Sequence, residues 1–244
     1  SPAAQPAESL EPEQNWSLRP TRMSEYIGQP ELIERLTIAI EAAKRRKEPM
    51  EHVLLHGPPG LGKTTLAYVI AEEMGTKIHM TSGPALTKPG DLVGMLTQIN
   101  PGDVVFIDEI HRLPITIEEF VYSAMEDFRI DVVTDSGMHA QTVQIPLKPF
   151  SLIGATTRAG LVSSPMRSRF GITHSLRYYT ADELQVILKR SCGLLNLSTD
   201  GPRHSDPLAR IAARSRGTPR IANRLLRRVR DYAQVKGDGR VTMD

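Results

Sequence analysis

A glycine-rich octapeptide near residue 60 carries the residue types that bind a chain of phosphates. Residues 57–64 read Gly-Pro-Pro-Gly-Leu-Gly-Lys-Thr, which fits the pattern G-x-x-x-x-G-K-S/T. Glycines let backbone N–H groups turn toward phosphate oxygens, and the positive end of a following helix strengthens that field. Lys63 would neutralise the terminal phosphates, and the Thr64 hydroxyl would ligate Mg²⁺. A glycine-rich turn without chemistry is the alternative, which the flanking strand and helix patterns disfavour.

Two adjacent carboxylates supply the second half of such a site. Residues 104–107 are four apolar residues, typical of a buried strand, and Asp108 and Glu109 follow where that strand would leave the sheet. Asp108 would hold Mg²⁺ through water, and Glu109 would orient and deprotonate an attacking water. An apolar run ending in Asp-Glu is by itself as often the end of a surface strand, but downstream of a phosphate loop it indicates nucleotide hydrolysis.

Short apolar strands alternate with helical stretches in the first two thirds of the chain. Strands are predicted at 53–55, 77–81, 104–107 and 151–155, with helices beginning at Pro30 and at about Thr64. The first helix should end in the basic run 44–47 before Pro49, and the second should end at Met74 before Gly75. This alternation predicts an α/β fold, in which a parallel sheet is flanked by helices.

The remaining segments differ in pattern. Two alternating runs, 130–134 and 141–145, flank Asp135-Ser136-Gly137 and predict a β-hairpin. After Tyr179 the chain becomes helical, with predicted helix starts at Thr180, Asp206 and Thr218 and stops at Gly217 and about Lys236. The expected organisation is a flexible N-terminal segment (1–17), a large domain (18–179) and a small helical lid domain (180–244).

Composition restricts the class of protein. No run reaches the roughly 18–20 apolar residues that cross a bilayer, and Cys192 is the single cysteine, so a cytoplasmic protein without membrane contact is expected. His52 and His56 flank a strand, which favours ordinary packed or solvated histidines over a metal site. Residues 203–240 hold eleven Arg or Lys against three Asp. This excess suggests anionic partners, nucleotide phosphates or nucleic acid, or else a solvated helix face.

Four segments together resemble the RuvB family of AAA+ ATPases: residues 57–64, 108–112, 154–158 and 216–220. The resemblance extends from about Leu18 to Met243. It implies an AAA+ P-loop NTPase fold with a helical lid, ATP or ADP and Mg²⁺ as cofactors, and a homo-hexamer as the working state. It further implies that the ring moves duplex DNA through a Holliday junction held by RuvA, in recombination and DNA repair, with RuvC as a further suggested partner.

The same resemblance assigns roles to single residues. Thr156 corresponds to the polar sensor beside the γ-phosphate, and Arg169 to an arginine finger inserted into the neighbouring subunit's site, with Arg167 as the alternative. Arg220 corresponds to a lid arginine on the γ-phosphate. The other residues assigned to the nucleotide are Leu18, Arg19, Tyr26, Ile27, Tyr179 and Pro219 around the base, Glu126, Asp127 and Phe128 nearby, and Gly57, Pro58, Pro59, Gly60, Leu61, Gly62, Lys63, Thr64 and Thr65 along the phosphates. By pattern alone, Tyr26 and Tyr179 would be core aromatics.

Two features depart from the family. The hairpin, about Ile130–Ile145, corresponds to the element that docks on RuvA, but its residues 133–139 differ from the usual wording. The family continues into a C-terminal winged-helix domain that contacts DNA, whereas this sequence stops at Asp244. The expectation is therefore a motor domain and lid without the winged-helix domain.

Three other functions compete with a DNA-moving ring. A scaffold that binds nucleotide without turnover should lack Glu109 or Arg169, and both are present. A protein-unfolding ring needs an aromatic pore loop, but residues 82–98 contain no Phe, Tyr or Trp. A clamp-loader-like ATPase shares the architecture and is the nearest alternative.

Overall fold

The computed structural model describes residues 18–133, 142–199 and 206–242. The strands are β1 (Val53–His56), β2 (Ile78–Ser82), β3 (Val104–Asp108), β4 (Arg129–Val133), β5 (Thr142–Pro146), β6 (Ser151–Thr156) and β7 (Ile172–Ser175). The α-helices are α1 (Pro30–Arg46), α2 (Lys63–Met74), α3 (Pro89–Leu96), α4 (Ile115–Asp127), α5 (Ser164–Ser168), α6 (Ala181–Leu194), α7 (Pro207–Arg214) and α8 (Pro219–Lys236). Short 3₁₀ turns lie at Met23–Glu25, Gly83–Ala85, Ile110–Arg112 and Ala159–Leu161.

Five strands form a parallel sheet in the order β2-β3-β6-β1-β7. Residues 104–107 of β3 and the whole of β6 are buried, because helices cover both faces of the sheet. The carboxyl ends of β1, β3 and β6 meet at one edge, where His56 pairs with Thr156 and Asp108 follows the neighbouring strand. The predicted α/β fold with a parallel sheet is confirmed.

One strand is missing from the sequence prediction, whereas the first helix ends inside its predicted run. Strand β7 has no counterpart in the sequence analysis, because its residues Ile-Thr-His-Ser form a short edge strand with one fully buried side chain. Helix α1 continues through Arg46 and ends where Lys47 takes a left-handed conformation, which is inside the basic run 44–47 where its end is predicted. Basic residues in the last turn interact favourably with the helix dipole.

The lid consists of α6, α7 and α8. Thr180 and Glu183 form the predicted capping box, with Glu183 N–H donating to Thr180 Oγ1 and Thr180 N–H to the Glu183 carboxylate. Helix α7 ends at Arg214, before the predicted stop at Gly217, and α8 starts at Pro219 as predicted. Lid residues Leu184, Leu188, Leu208 and Leu226 share one apolar cluster with the large domain. The lid is therefore packed on the sheet domain.

Strands β4 and β5 pair antiparallel, with Ile130 opposite Ile145 and Val132 opposite Val143. The two arms of the predicted hairpin are therefore present, while its turn at Asp135-Ser136-Gly137 lies outside the described residues, as does the segment 1–17. Among the helices of the described ranges, none combines the length and apolar character needed to cross a bilayer.

Candidate nucleotide site

The phosphate-type loop connects β1 to α2, and Lys63 folds back over it. Lys63 Nζ donates to the carbonyl oxygens of Gly57 and Pro58, each at 2.8 Å. Burial lowers the pKa of Lys63, while the nearby Asp108 and Glu109 carboxylates act in the opposite direction. The charged ammonium therefore closes the loop on itself and lies close to both carboxylates.

A cavity of about 460 Å³ opens beside this loop, between the start of the described chain and the lid. Sixteen of the predicted residues line it: Leu18, Arg19, Tyr26, Ile27, Pro59, Gly60, Leu61, Gly62, Lys63, Thr64, Thr65, Asp108, Glu109, Tyr179, Pro219 and Arg220. Gly57 and Pro58 do not line it; their carbonyls hold Lys63 from beneath. The predicted phosphate, base and lid residues thus converge on one cavity.

Two tyrosines, Tyr26 and Tyr179, line this cavity. Tyr179 donates to the Tyr26 hydroxyl at 3.1 Å, and Tyr26 lies 3.5 Å from the carbonyl of Leu61. Burial raises the pKa of both phenols, so both hydroxyls remain protonated donors at neutral pH. A Cβ on Gly62 would lie 2.6 Å from the Tyr26 hydroxyl, which explains the glycine at this position. The tyrosines therefore support the loop backbone as well as lining the cavity.

Asp108 is the last residue of β3, and Glu109 begins the sharp turn that follows it. Asp108 Oδ1 accepts a hydrogen bond from Glu109 N–H at 2.9 Å. Glu109 has φ of 47°, a left-handed conformation that costs a non-glycine residue about 1–2 kcal/mol. This conformation keeps both carboxylates at the cavity.

The two threonines that follow Ala155 lie in different surroundings. Thr156 is fully buried and accepts a hydrogen bond from Arg158 N–H at 2.9 Å, while its hydroxyl lies 2.8 Å from His111 Nδ1. Thr157 lines the cavity, with its hydroxyl 3.4 Å from each Glu109 carboxylate oxygen. His111 Nε2 lies 3.3 Å from Glu109. The structure therefore places Thr157, not the predicted Thr156, at the cavity, because Thr156 still belongs to the buried strand.

The finger candidates and the segment 126–128 lie outside this cavity. Arg169 contacts Glu126, and Arg167 donates to the carbonyl oxygens of Ala159 and Val162. Asp127 pairs with Arg129 at 3.3 Å. The Phe128 ring packs against His52 and Phe150. Glu126, Asp127 and Phe128 therefore do not line the cavity of their own protomer.

The lid touches the loop directly. Arg220 N–H lies 3.5 Å from the carbonyl of Gly60, and Tyr179 N–H donates to Gly217 O at 2.9 Å. Arg216 and Gly217 both have positive φ, which turns the chain so that α8 begins at the loop. The first residues of α8 therefore lie against the glycine-rich loop at the edge of the cavity.

Six lining residues were not found by sequence analysis: Pro20, Glu25, Thr157, Ile187, Arg190 and Asn223. Arg190 donates to the carbonyls of Leu18 and Arg19 at 2.8 and 3.3 Å and lies 3.0 Å from the Glu25 carboxylate. Ile187 and Arg190 are three apart on α6, so helical spacing could have placed them on one face. Nothing in the sequence shows that this face meets Leu18.

The donor set of the cavity suits a magnesium ion that arrives with phosphates. Thr64 and Asp108 line the same cavity and offer a hydroxyl and a carboxylate, the hard oxygen ligands that Mg²⁺ prefers. Within 18–133, 142–199 and 206–242, no cluster of three or more His, Cys, Asp or Glu side chains could hold a metal alone. Mg²⁺ at such a site is completed by substrate oxygens and water. The residues therefore fit this ion.

The parallel sheet, the phosphate loop, the carboxylates beyond β3 and the lid resting on the loop define a P-loop NTPase of the AAA+ class. The family model for the Holliday junction DNA helicase RuvB P-loop domain matches residues 18–176, and that for the RuvB AAA lid domain matches residues 179–244. The chain belongs to the RuvB family. The resemblance inferred from the sequence is thereby confirmed.

The similar proteins and solved structures are themselves named RuvB. The chain is 56% identical over 225 residues to the Holliday junction branch migration complex subunit RuvB of Lacticaseibacillus casei, and 56% identical over 230 residues to that of Chlorobium limicola. These alignments cover 92% and 94% of this chain and 65% of each relative. The solved structure of the Thermotoga maritima RuvB Holliday junction branch migration motor superposes with a TM-score of 0.81 at 52% identity, covering 93% of this chain and 70% of that one.

Proposed function

We propose that the chain is the ATP-hydrolysing subunit of a ring motor that drives Holliday junction branch migration with RuvA during recombination and repair. The observation that carries this proposal is the single cavity that joins the phosphate loop, the Asp108-Glu109 pair and Arg220 of the lid. The names of the relatives support a Holliday junction as the DNA substrate and membership in a branch migration complex. The proposal extends what those relatives are called to a chain that spans 65% of their length.

ATP is expected to bind with its phosphates on the loop and its base between the N-terminal segment and the lid. Lys63 already lies buried against the loop, so it can exchange its two carbonyl contacts for phosphate oxygens with little motion. Thr64 and Asp108 would hold Mg²⁺, which supplies positive charge to the phosphates. Tyr26 and Tyr179 keep the loop backbone in place around the nucleotide.

Hydrolysis then requires a base, a sensor and a cation. Glu109 would take the proton of the attacking water, a role suited to a carboxylate fixed beside Asp108. We propose Thr157 as the polar sensor in place of Thr156, because its hydroxyl lies 3.4 Å from each Glu109 carboxylate oxygen and the residue lines the cavity. Arg220 would contact the γ-phosphate from the lid, so that phosphate release can change the position of the lid.

The position of Arg169 points to a ring. It lies outside its own protomer's cavity, on the surface formed by α4 and α5, where it could enter the site of a neighbour. An arginine supplied by another subunit stabilises transition-state charge and makes turnover depend on assembly. We therefore infer a homo-hexamer as the working state, with Arg169 as the finger and Arg167 as the alternative.

The remaining partners follow from the family. The hairpin of β4 and β5 is the proposed contact with RuvA, and duplex DNA at the junction is the proposed substrate, with RuvC as a further partner. A cytoplasmic location fits this set. A clamp-loader-like ATPase and a scaffold without turnover remain the competing functions, and both are separated from branch migration by the experiment that follows.

The test is ATPase activity of the protein alone, with RuvA, with four-way junction DNA, and with both together. We expect strong stimulation only with both, and branch migration of a labelled junction in the same mixture. Lys63→Ala should remove ATP binding and turnover, and Glu109→Gln should bind ATP but hardly hydrolyse it. Wild-type turnover in Lys63→Ala would refute the assignment of the nucleotide site. Primer-template DNA serves as a further sample, and stimulation equal to that by four-way junction DNA would favour the clamp-loader-like ATPase.

A further inference from the structure

The guanidinium of Arg169 is held between α4 and α5 by contacts of three kinds. Its Cζ lies 4.2 Å from the centroid of the Tyr122 ring. Nη2 donates to Glu126 at 3.2 Å, with Nε 3.2 Å from the other carboxylate oxygen, and Nη1 donates to Pro165 O at 2.7 Å. The side chain is 21% exposed. The Arg169 guanidinium therefore lies at the surface in an orientation that is fixed by its contacts.

The tyrosine beneath it is itself fixed. The Tyr122 hydroxyl donates to the Glu118 carboxylate and lies 3.0 Å from Ser163 Oγ. Ser163 also donates to Glu118 and accepts from Met166 N–H at 3.2 Å, so it caps α5. Burial raises the pKa of the Tyr122 phenol, with Glu118 acting in the same direction, so the hydroxyl remains a donor. One cluster therefore ties the helix bearing Tyr122 to the helix that ends beside Arg169.

We propose that Tyr122 is a positioning residue for the arginine finger, and that its ring face sets where Arg169 enters the neighbouring site. This inference rests on the proposed function. An aromatic face attracts a cation without using its N–H groups, so the Nη hydrogens that are not donated to Glu126 or Pro165 can bond phosphate oxygens. A long side chain that is already ordered loses less freedom when the transition state forms.

Two substitutions separate the ring from the hydroxyl. Tyr122→Leu keeps an apolar side chain but removes the aromatic face, and we expect ring-dependent kcat to fall about tenfold, which corresponds to a displaced cation–π contact. Tyr122→Phe keeps the face and loses the bonds to Glu118 and Ser163, and kcat should stay within about twofold. KM for ATP should be unchanged in both, since Tyr122 does not line its own subunit's cavity.

Mixed rings test the direction of the effect. In rings of Tyr122→Leu and Glu109→Gln subunits, some interfaces join an intact Glu109 to a finger on an intact Tyr122, so hydrolysis should be partly restored. In rings of Tyr122→Leu and Arg169→Ala subunits, every finger is displaced or absent, and no restoration is expected. A loss caused by general damage to the fold would not depend on which subunit donates the finger.

The outcomes separate the inference from the function on which it rests. If Arg169→Ala retains full turnover in assembled rings, the proposed finger itself is wrong. If Arg169→Ala is inactive while Tyr122→Leu is as active as wild type, only the role of Tyr122 fails. Equal losses in Tyr122→Phe and Tyr122→Leu would also overturn the inference, because the hydroxyl network would then carry the effect. Ring assembly is checked for every variant by sedimentation.

Discussion

The imidazole of His111 joins Thr156 to Glu109, with Nδ1 2.8 Å from the Thr156 hydroxyl and Nε2 3.3 Å from the carboxylate. Thr156 already accepts a hydrogen bond from the backbone of Arg158, so its own hydrogen can be donated to Nδ1. The imidazole hydrogen then lies on Nε2 and points at Glu109. A protonated ring would donate at both nitrogens, so Nε2 donates to the carboxylate in either charge state.

We expect His111→Ala to lower kcat for ATP about tenfold with KM unchanged, because one hydrogen bond that orients a charged group is worth roughly 1.5 kcal/mol. His111→Gln can still present an N–H to Glu109 and should retain most of the activity. Steady-state ATPase assays of the two variants provide the measurement. Wild-type kcat in His111→Ala would show that Glu109 needs no such support.

The roles of the two threonines can be separated by a double-mutant cycle. Thr157→Val should lower kcat about tenfold without changing ADP affinity, and Thr157→Ser should restore it, since the hydroxyl faces Glu109. Thr156→Val should lower kcat only where His111 is present, because it acts through the imidazole. If Thr156→Val lowers kcat by the same factor in the His111→Ala background, Thr156 acts directly on the nucleotide, as the resemblance to the family implies.

The contact between loop and lid can be tested at a single glycine. Gly60 has φ of +81°, and a Cβ there would lie 2.7 Å from Thr218 Cγ2 and 3.2 Å from Arg220 Cβ. Gly60→Ala should displace the start of α8 and raise KM for ATP about tenfold. Gly75→Ala is the matched control, with φ of +70° and nothing within 4 Å of the added atom. In both variants the free energy of unfolding should fall by roughly 1 kcal/mol, because alanine is strained at a positive φ. A rise in KM for Gly75→Ala as well would show that strain, not the lid, matters.

A buried carboxylate at the opposite end of the sheet should govern acid stability. Asp103 is 3% exposed, and accepts from Asn100 N–H at 2.8 Å and from His79 at 2.7 Å. Burial alone would raise its pKa, but hydrogen bonds from two backbone N–H groups and His79 outweigh burial and hold it below 3.8. The stabilisation that ionised Asp103 contributes to the fold is therefore complete at pH values above its pKa in the unfolded chain. It is lost as pH falls through the lower pKa that Asp103 has in the folded protein.

Asp103→Asn should lower the free energy of unfolding at neutral pH by about 2 kcal/mol, since an amide nitrogen then faces a backbone donor. The variant should also lose less stability on acidification below pH 4 than wild type, because this titration is gone. Denaturant unfolding at several pH values measures both effects. Asp231→Asn, which alters a carboxylate with a side chain 62% exposed, should change neither. An unchanged acid dependence in Asp103→Asn would contradict the assignment.

Local patterns predicted the parts of the site that lie on contiguous sequence. The loop 57–64 has its signature in eight neighbouring residues, and Asp108 and Glu109 are placed by the apolar strand before them. The start of α8 is marked by Thr218 and Pro219. Each of these features depends on the backbone conformation of a few neighbouring residues, and the order of residues in a short segment can encode that conformation.

Features that depend on register or on distant contacts could not be found in this way. Thr156 and Thr157 are adjacent and chemically alike, and only the end of β6 decides which one leaves the sheet. The contact between Arg190 and Leu18 joins residues 172 positions apart. The pairing of Arg169 with Glu126 depends on how α4 and α5 are oriented, and no sequence pattern records that orientation.

Arg190 connects the lid to the segment at the start of the described chain, and this segment forms one wall of the cavity. Arg190 belongs to α6, yet it holds the carbonyls of Leu18 and Arg19 and the carboxylate of Glu25. A rotation of the lid must therefore either carry this segment along or release three polar contacts at once. The segment that begins at Leu18 and the lid are therefore coupled through one side chain, and a lid movement that keeps these contacts would shift both walls of the cavity together.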